Sequence, residues 1–209
     1  IISANISQAP GGVIAANAGG TVTLLGNHSI TGGRILGPGQ IVRSNSGTTT
    51  LSDVSLEGDL DVGIVATVLY TSPAFNCPGR IILNDSTNSN NAVLRFAADT
   101  TVSGGGSVFL AGGGNDSLIE STTKPDTTVT FAPGFTVEGS GQISARMNNQ
   151  GLVRAFPGVN NDGRLLVNQH PKANTGVMRA DPGGTLEFQN VTVVQDAEGG
   201  PAGLILADG

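Results

Sequence analysis

Asn149-Gln150-Gly151-Leu152-Val153-Arg154-Ala155 returns as Asn174-Thr175-Gly176-Val177-Met178-Arg179-Ala180, so one phrase, Asn-x-Gly-apolar-apolar-Arg-Ala, is written twice at an interval of 25 residues. A chain that rewrites a small unit is building a stack, in which each unit hides its apolar side against the next. The interval is then the length of one coil. A Gly-punctuated phrase followed by a strand-like run supports this reading: Ile35-Leu36-Gly37-Pro38-Gly39-Gln40-Ile41-Val42, Thr101-Val102-Ser103-Gly104-Gly105-Gly106-Ser107-Val108, and Thr136-Val137-Glu138-Gly139-Ser140-Gly141-Gln142-Ile143.

Working outward, β-branched runs of three to five residues follow one another along the chain, bounded by Gly, Asn, Asp or Pro about every 8 to 12 residues. Such runs are short for a sandwich and suit one side of a coil. Asp-Gly hairpin signals are confined to Asp162-Gly163 and the terminal Asp208-Gly209, and parallel coils need none. The expectation is one all-β domain over residues 1–209: a parallel β-helix (β-solenoid) of nine or ten coils with 20 to 25 residues each and almost no helix. The hand is right-handed by the general rule for parallel crossovers. Val, Ile and Leu are expected inward as aliphatic ladders, Thr, Ser, Asn and Arg outward, and asparagines at equivalent corners are expected to stack through their amides. Loop excursions are expected near 70–79, where Pro73 and Pro78 interrupt any plain strand, and at the polar tracts 84–91 and 121–126.

Composition narrows the partners. Charged residues are 12% of the 209, net charge is −6 and the ten basic residues stand mostly apart, so there is no cationic stripe for a nucleic-acid backbone. Trp is absent and Tyr occurs once, which leaves few platforms for stacking sugars or bases. The longest apolar runs fall short of a membrane-spanning helix. Cys77 is the single cysteine; it rules out an internal disulfide and reads as a small buried apolar residue. A chain beginning at Ile1 reads as a segment of a longer, exported precursor.

In the two Gly-containing phrases and in Gly183-Gly184-Thr185-Leu186-Glu187-Phe188, the chain resembles bacterial secreted β-solenoid repeat proteins. These are the passenger regions of autotransporter-like adhesins and filamentous-haemagglutinin-like surface proteins. The resemblance is best over Leu94 to Gly209. It implies export to the bacterial cell surface and a role in adhesion, matrix building or filament formation, and it brings no catalytic residues.

Candidate chemistry is sparse. Ala111-Gly112-Gly113-Gly114-Asn115-Asp116-Ser117-Leu118 looks like one unit of a calcium-binding nonapeptide repeat, with Asp116 as its ligand. It occurs once, and a Gly-rich turn with an Asx cap is the expectation. Glu57, Asp59 and Asp61 alternate and share a face if that segment is a strand, the pattern of an acidic site in β-helix polysaccharide lyases and hydrolases. The plain expectation is a solvated edge. His28 and His170 sit in no motif and are expected at the surface or in turns. Arg154 and Arg179, one coil apart, are expected to form an outward column facing Asp181 or Glu187.

The function expected from these readings is that of an extracellular structural or adhesive solenoid without cofactor or metal. Its partners are copies of itself stacked end to end through Ile1, Ile2, Ile6, Leu204, Ile205 and Leu206, and surface glycans. The alternative is a polysaccharide lyase or glycoside hydrolase using Glu57, Asp59 and Asp61.

Overall fold

The computed structural model describes residues 1–44, 46–85, 90–114, 116–122, 127–158, 162–195 and 202–208. Among these there is no helix, and every strand pairing is parallel. The expected excursions at 84–91 and 121–126 lie partly outside the described residues, at 86–89 and 123–126. The chain winds past three faces in turn. Nine strands stack on the first face, from Ile6–Ser7 through Ala66–Tyr70 to Thr185–Gln189, and nine on the third, from Thr21–Leu25 through Arg80–Leu83 to Leu204–Ala207. The molecule is therefore a parallel β-helix of nine coils. On the first face the interval between paired residues runs from 19, between Thr49 and Val68, to 26, between Val68 and Leu94; on the third it runs from 16, between Thr136 and Leu152, to 29, between Ser107 and Thr136. At a strand spacing near 4.8 Å, nine coils make a column about 43 Å long.

The second face is split. Val13–Ala15, Arg34–Leu36 and Ser55–Leu56 form a three-stranded sheet, and a six-stranded sheet begins at Ala74–Asn76. The expected excursion near 70–79 thus contains a wall strand, the first of the six-stranded sheet, and the division between the two second-face sheets falls at this coil. Pro73 brings no N–H to the ladder. Asp53, in the left-handed region at φ 54°, donates its own N–H to Ser72 Oγ at 2.9 Å.

Period-two alternation places every second side chain inside. On the third face Val22, Ile41, Leu60, Ile81, Val108, Val137, Val153, Met178 and Ile205 lie in one register, a ladder running the whole length of the molecule. On the first face Val68, Leu94, Ile119, Ile143, Val167 and Phe188 form a second. Burial of each such side chain contributes roughly 1.5–3 kcal/mol. The outward expectation was too polar: Val93, Leu118 and Leu166 hold outward register positions on the first face, and Phe109, Leu152 and Val177 on the third.

One corner explains much of the glycine. Gly20, Gly39, Gly58, Gly79, Gly106, Gly151, Gly176 and Gly203 each immediately precede a third-face strand, with Phe135 holding the place in the sixth coil. The requirement there is closeness to the coil below. A Cβ on Gly79 would lie 2.2 Å from the Gly58 carbonyl oxygen, and one on Gly106 would lie 2.0 Å from that of Gly79. Gly39 and Gly106 of the first two Gly-x-Gly phrases belong to this column. The third phrase sits elsewhere, because Gly139 ends one third-face strand and Gly141 opens the next first-face strand.

Candidate functional site

The sequence-predicted carboxylates are separated by the corner glycine. Gly58 lies between Glu57, on the second face, and Asp59–Val62, the third-face strand. Asp59 and Asp61 share the outward side of that strand while Leu60 and Val62 are buried. Glu57 is committed to a neighbour: Arg34 Nε donates to its Oε1 at 2.6 Å, the second guanidinium nitrogen binds Oε2, and Ser55 Oγ donates at 3.2 Å. The hydrogen bond from Arg34 holds the Glu57 carboxyl below the usual range. Asp61 shifts the other way, raised first by its burial and then by the charge of Asp85.

An open groove of about 440 Å³ runs along this corner, lined by Glu57, Asp59, Arg80, Ser107, Thr136 and Glu138 over a glycine floor that includes Gly79 and Gly106. Its floor is left open by the glycines and by the small Ser107 and Thr136, between the longer charged side chains at its sides. The structure brings Glu57 and Asp59 together in it and leaves Asp61 out. Its third carboxylate, Glu138, comes from three coils further on, a distance in sequence that hides it from local reading.

Glu138 lies 3.8 Å from both Arg80 and Arg154. Each arginine also covers a ring: Arg80 stands 4.5 Å over Phe109 and Arg154 stands 4.6 Å over Phe156, and the two rings stack at 5.8 Å. The half-buried Phe pair is thus capped by a cation at either end, which leaves its edges and not its faces for a sugar. Arg154 and Arg179 are register neighbours and share Asp181, at 3.0 and 2.8 Å, so the arginine column is neutralised as expected. Glu187 pairs instead with Arg164, at 2.6 Å.

No family model, no curated protein and no solved structure matches the chain.

Elsewhere, Asp116 closes a tight turn through its N–H to the Gly113 carbonyl at 2.9 Å, and its own carbonyl accepts from Asn84 Nδ2 at 3.2 Å. No group of three or more His, Cys, Asp or Glu able to hold a metal occurs among the described residues. No helix there is long and apolar enough to cross a membrane. His170 lies half-buried in the turn before Lys172, but His28 departs from its expected surface position. It is buried, with Nδ1 3.1 Å from the Leu25 carbonyl oxygen and Nε2 3.4 Å from Thr49 Oγ1. Desolvation and the nearby Arg43 lower its pKa against the opposing backbone contacts. Cys77 is buried as expected.

Two buried cations were not legible. Arg43 takes the inward position beside Leu24 and Val62 in the third-face register and donates to the carbonyls of Leu24, Gly26 and Ser46. Lys172 stands inward between Met147 and Val193, with Nζ donating to the Asn168 carbonyl at 2.9 Å and the His170 carbonyl at 2.5 Å. Each closes a corner from inside.

The residues expected to carry self-assembly divide by direction. Ile1 is 87% exposed, and Ile2, half-buried, pairs with Leu24 at the edge of the third face. Ile6 pairs with Ile30 on the first face. At the other end Ile205 points inward and packs on the core, whereas Leu204 and Leu206, 47% and 38% exposed, point sideways from the third face. Only their backbone belongs to the axial edge.

Proposed function

We propose that this chain is a stiff, non-catalytic structural rod, exported to a bacterial cell surface or matrix and extended along its axis by further coils. One observation carries the reading: the aliphatic ladder from Val22 to Ile205 is continuous through all nine coils, so the chain is one uninterrupted column. The low charge, the Thr- and Asn-rich surface and the resemblance to secreted solenoid passengers support the extracellular setting. Negative-stain electron microscopy of the purified chain in neutral buffer tests this. Rods about 43 Å long, or fibres with that axial repeat, are expected, and compact particles would overturn it.

The groove favours a second reading, a polysaccharide lyase or hydrolase. Against it, the carboxyl raised toward general-acid behaviour, Asp61, lies outside the groove, and Glu57 within it is held ionised. Productive acid–base pairs need both groups at one bond. Turnover of an acidic or neutral polysaccharide that disappears in Asp59→Ala and Glu138→Ala would establish this reading in place of the first.

A further inference from the structure

We propose that the groove between the second and third faces holds a linear, uncharged glycan lying along the axis of the column, bound without turnover; this deepens the matrix-rod reading and rests on its exported setting. Asp59, Arg80, Ser107 and Thr136 each open a third-face strand, and the register sets them side by side on four successive coils. Three strand spacings make this outward row about 14 Å long, room for a trisaccharide. Arg80 turns out of the row: its guanidinium lies over Phe109, one coil on, and reaches Glu138, two coils on. Among the described residues, the Asp59 carboxylate and the Ser107 and Thr136 hydroxyls have no hydrogen-bond or ion-pair partner. These free groups face one open volume of about 440 Å³.

The lining suits few ligands. Strand addition needs free backbone groups at an edge, but the N–H groups along this corner are used within the chain. Those of Gly79, Gly106, Ser107 and Thr136 donate to the carbonyls of Leu56, Cys77, Gly79 and Gly106 at 3.0 to 3.1 Å. A protein partner needs a buried anchor, usually aromatic, but Phe109 is covered by Arg80 and by Phe156. A polyol needs neither. Neighbouring sugar hydroxyls donate in pairs to a carboxylate such as Asp59, and they exchange donor and acceptor roles with Ser and Thr hydroxyls. A glycan chain also repeats at close to the strand spacing.

Charge selects an uncharged chain. Glu57 is neutralised by Arg34, and Glu138 by Arg80 and Arg154, which leaves Asp59 uncompensated. A uronate chain would meet Asp59 with like sign and find Arg80 already engaged. With no ring face open for stacking, affinity falls in the millimolar range. No turnover is expected, because Asp61, the carboxyl raised toward an acid, stands outside the groove.

The test is a titration of the isotope-labelled chain with cellotetraose, mannotetraose and xylotetraose, read from amide chemical shifts, with tetragalacturonate as the charged counterpart. At least one neutral probe should shift Gly105, Gly106, Ser107 and Thr136 with millimolar saturation. Asp59→Ala, at an exposed position, should keep the parent's unfolding midpoint and weaken binding by roughly tenfold or more, the loss of a charge-assisted pair of hydrogen bonds. Gly105→Asn is the second variant: asparagine tolerates the left-handed backbone at φ 75°, and its side chain enters open space in the groove. It should block the probe without touching Asp59. No shift with any neutral probe, shifts outside the groove, or binding indifferent to both variants would overturn the site, and rods in micrographs would leave the rod reading standing. Equal binding of tetragalacturonate would overturn the uncharged class, and shortening of a neutral probe would overturn binding without turnover. Compact particles that still bind would overturn the rod alone.

Discussion

Asn149 donates its side-chain amide to the side-chain oxygen of Asn174 at 2.8 Å, and both residues are fully buried one coil apart. The repeated phrase thus carries a hydrogen bond between successive coils inside the second face. Asn149 Nδ2 also reaches the Val177 carbonyl at 3.1 Å, and Asn174 Nδ2 reaches that of Leu204 at 3.3 Å, so each rung holds the start of the following third-face strand.

Asn174→Ala should therefore cost about 1–2 kcal/mol in denaturant unfolding, since Asn149 keeps a second acceptor and only part of the desolvation penalty is felt. The more specific expectation is local. Amide exchange should accelerate at Leu204 to Ala207 before it does in the central coils. Equal acceleration in all nine coils would show that the rung does not govern the last strand.

Gly79→Ala should be among the most damaging small substitutions available, costing about 3 kcal/mol or more, because its Cβ would sit 2.2 Å from a backbone oxygen that cannot move without its whole coil. Gly20→Ala, with 3.1 Å of room, is the matched control. Urea midpoints of the two variants against the parent decide it, and similar midpoints would remove close approach as the reason for the glycine column.

The 25-residue coil from Asn149 to Asn174, its asparagine stack and the inward aliphatic runs were legible because each is written in a local phrase, whereas the other coils depart from that interval in both directions. Lys172 and Arg43 were not, since their burial depends on carbonyls presented by corner turns. The groove was half legible. Glu57 and Asp59 are near in sequence, whereas Glu138 and Arg80 arrive through the stacking of coils whose unequal lengths conceal the register.

The Cys77 thiol is fully buried and pushed up to about 12 by desolvation, so the native chain should not react with a thiol reagent at pH 8, where a free cysteine would. One equivalent should react once the chain is unfolded. Rapid native labelling would mean that the corner at Cys77-Pro78 opens in solution.

Lys172 makes stability depend on pH. Burial, and secondarily Arg146, lowers its pKa from 10.5 to about 7, so between these values the unfolded chain holds a proton that the folded chain has released. Stability then rises with pH across that window and is flat below it, where both states carry the ammonium and the folded state bears the full penalty of burying it. Lys172→Met cannot titrate and loses the bonds to the Asn168 and His170 carbonyls. Its expected signature is therefore a vanished slope, whatever its absolute stability. Denaturation midpoints of parent and variant at pH 6, 8 and 10 measure this, and parallel pH profiles would show that Lys172 reaches solvent when charged.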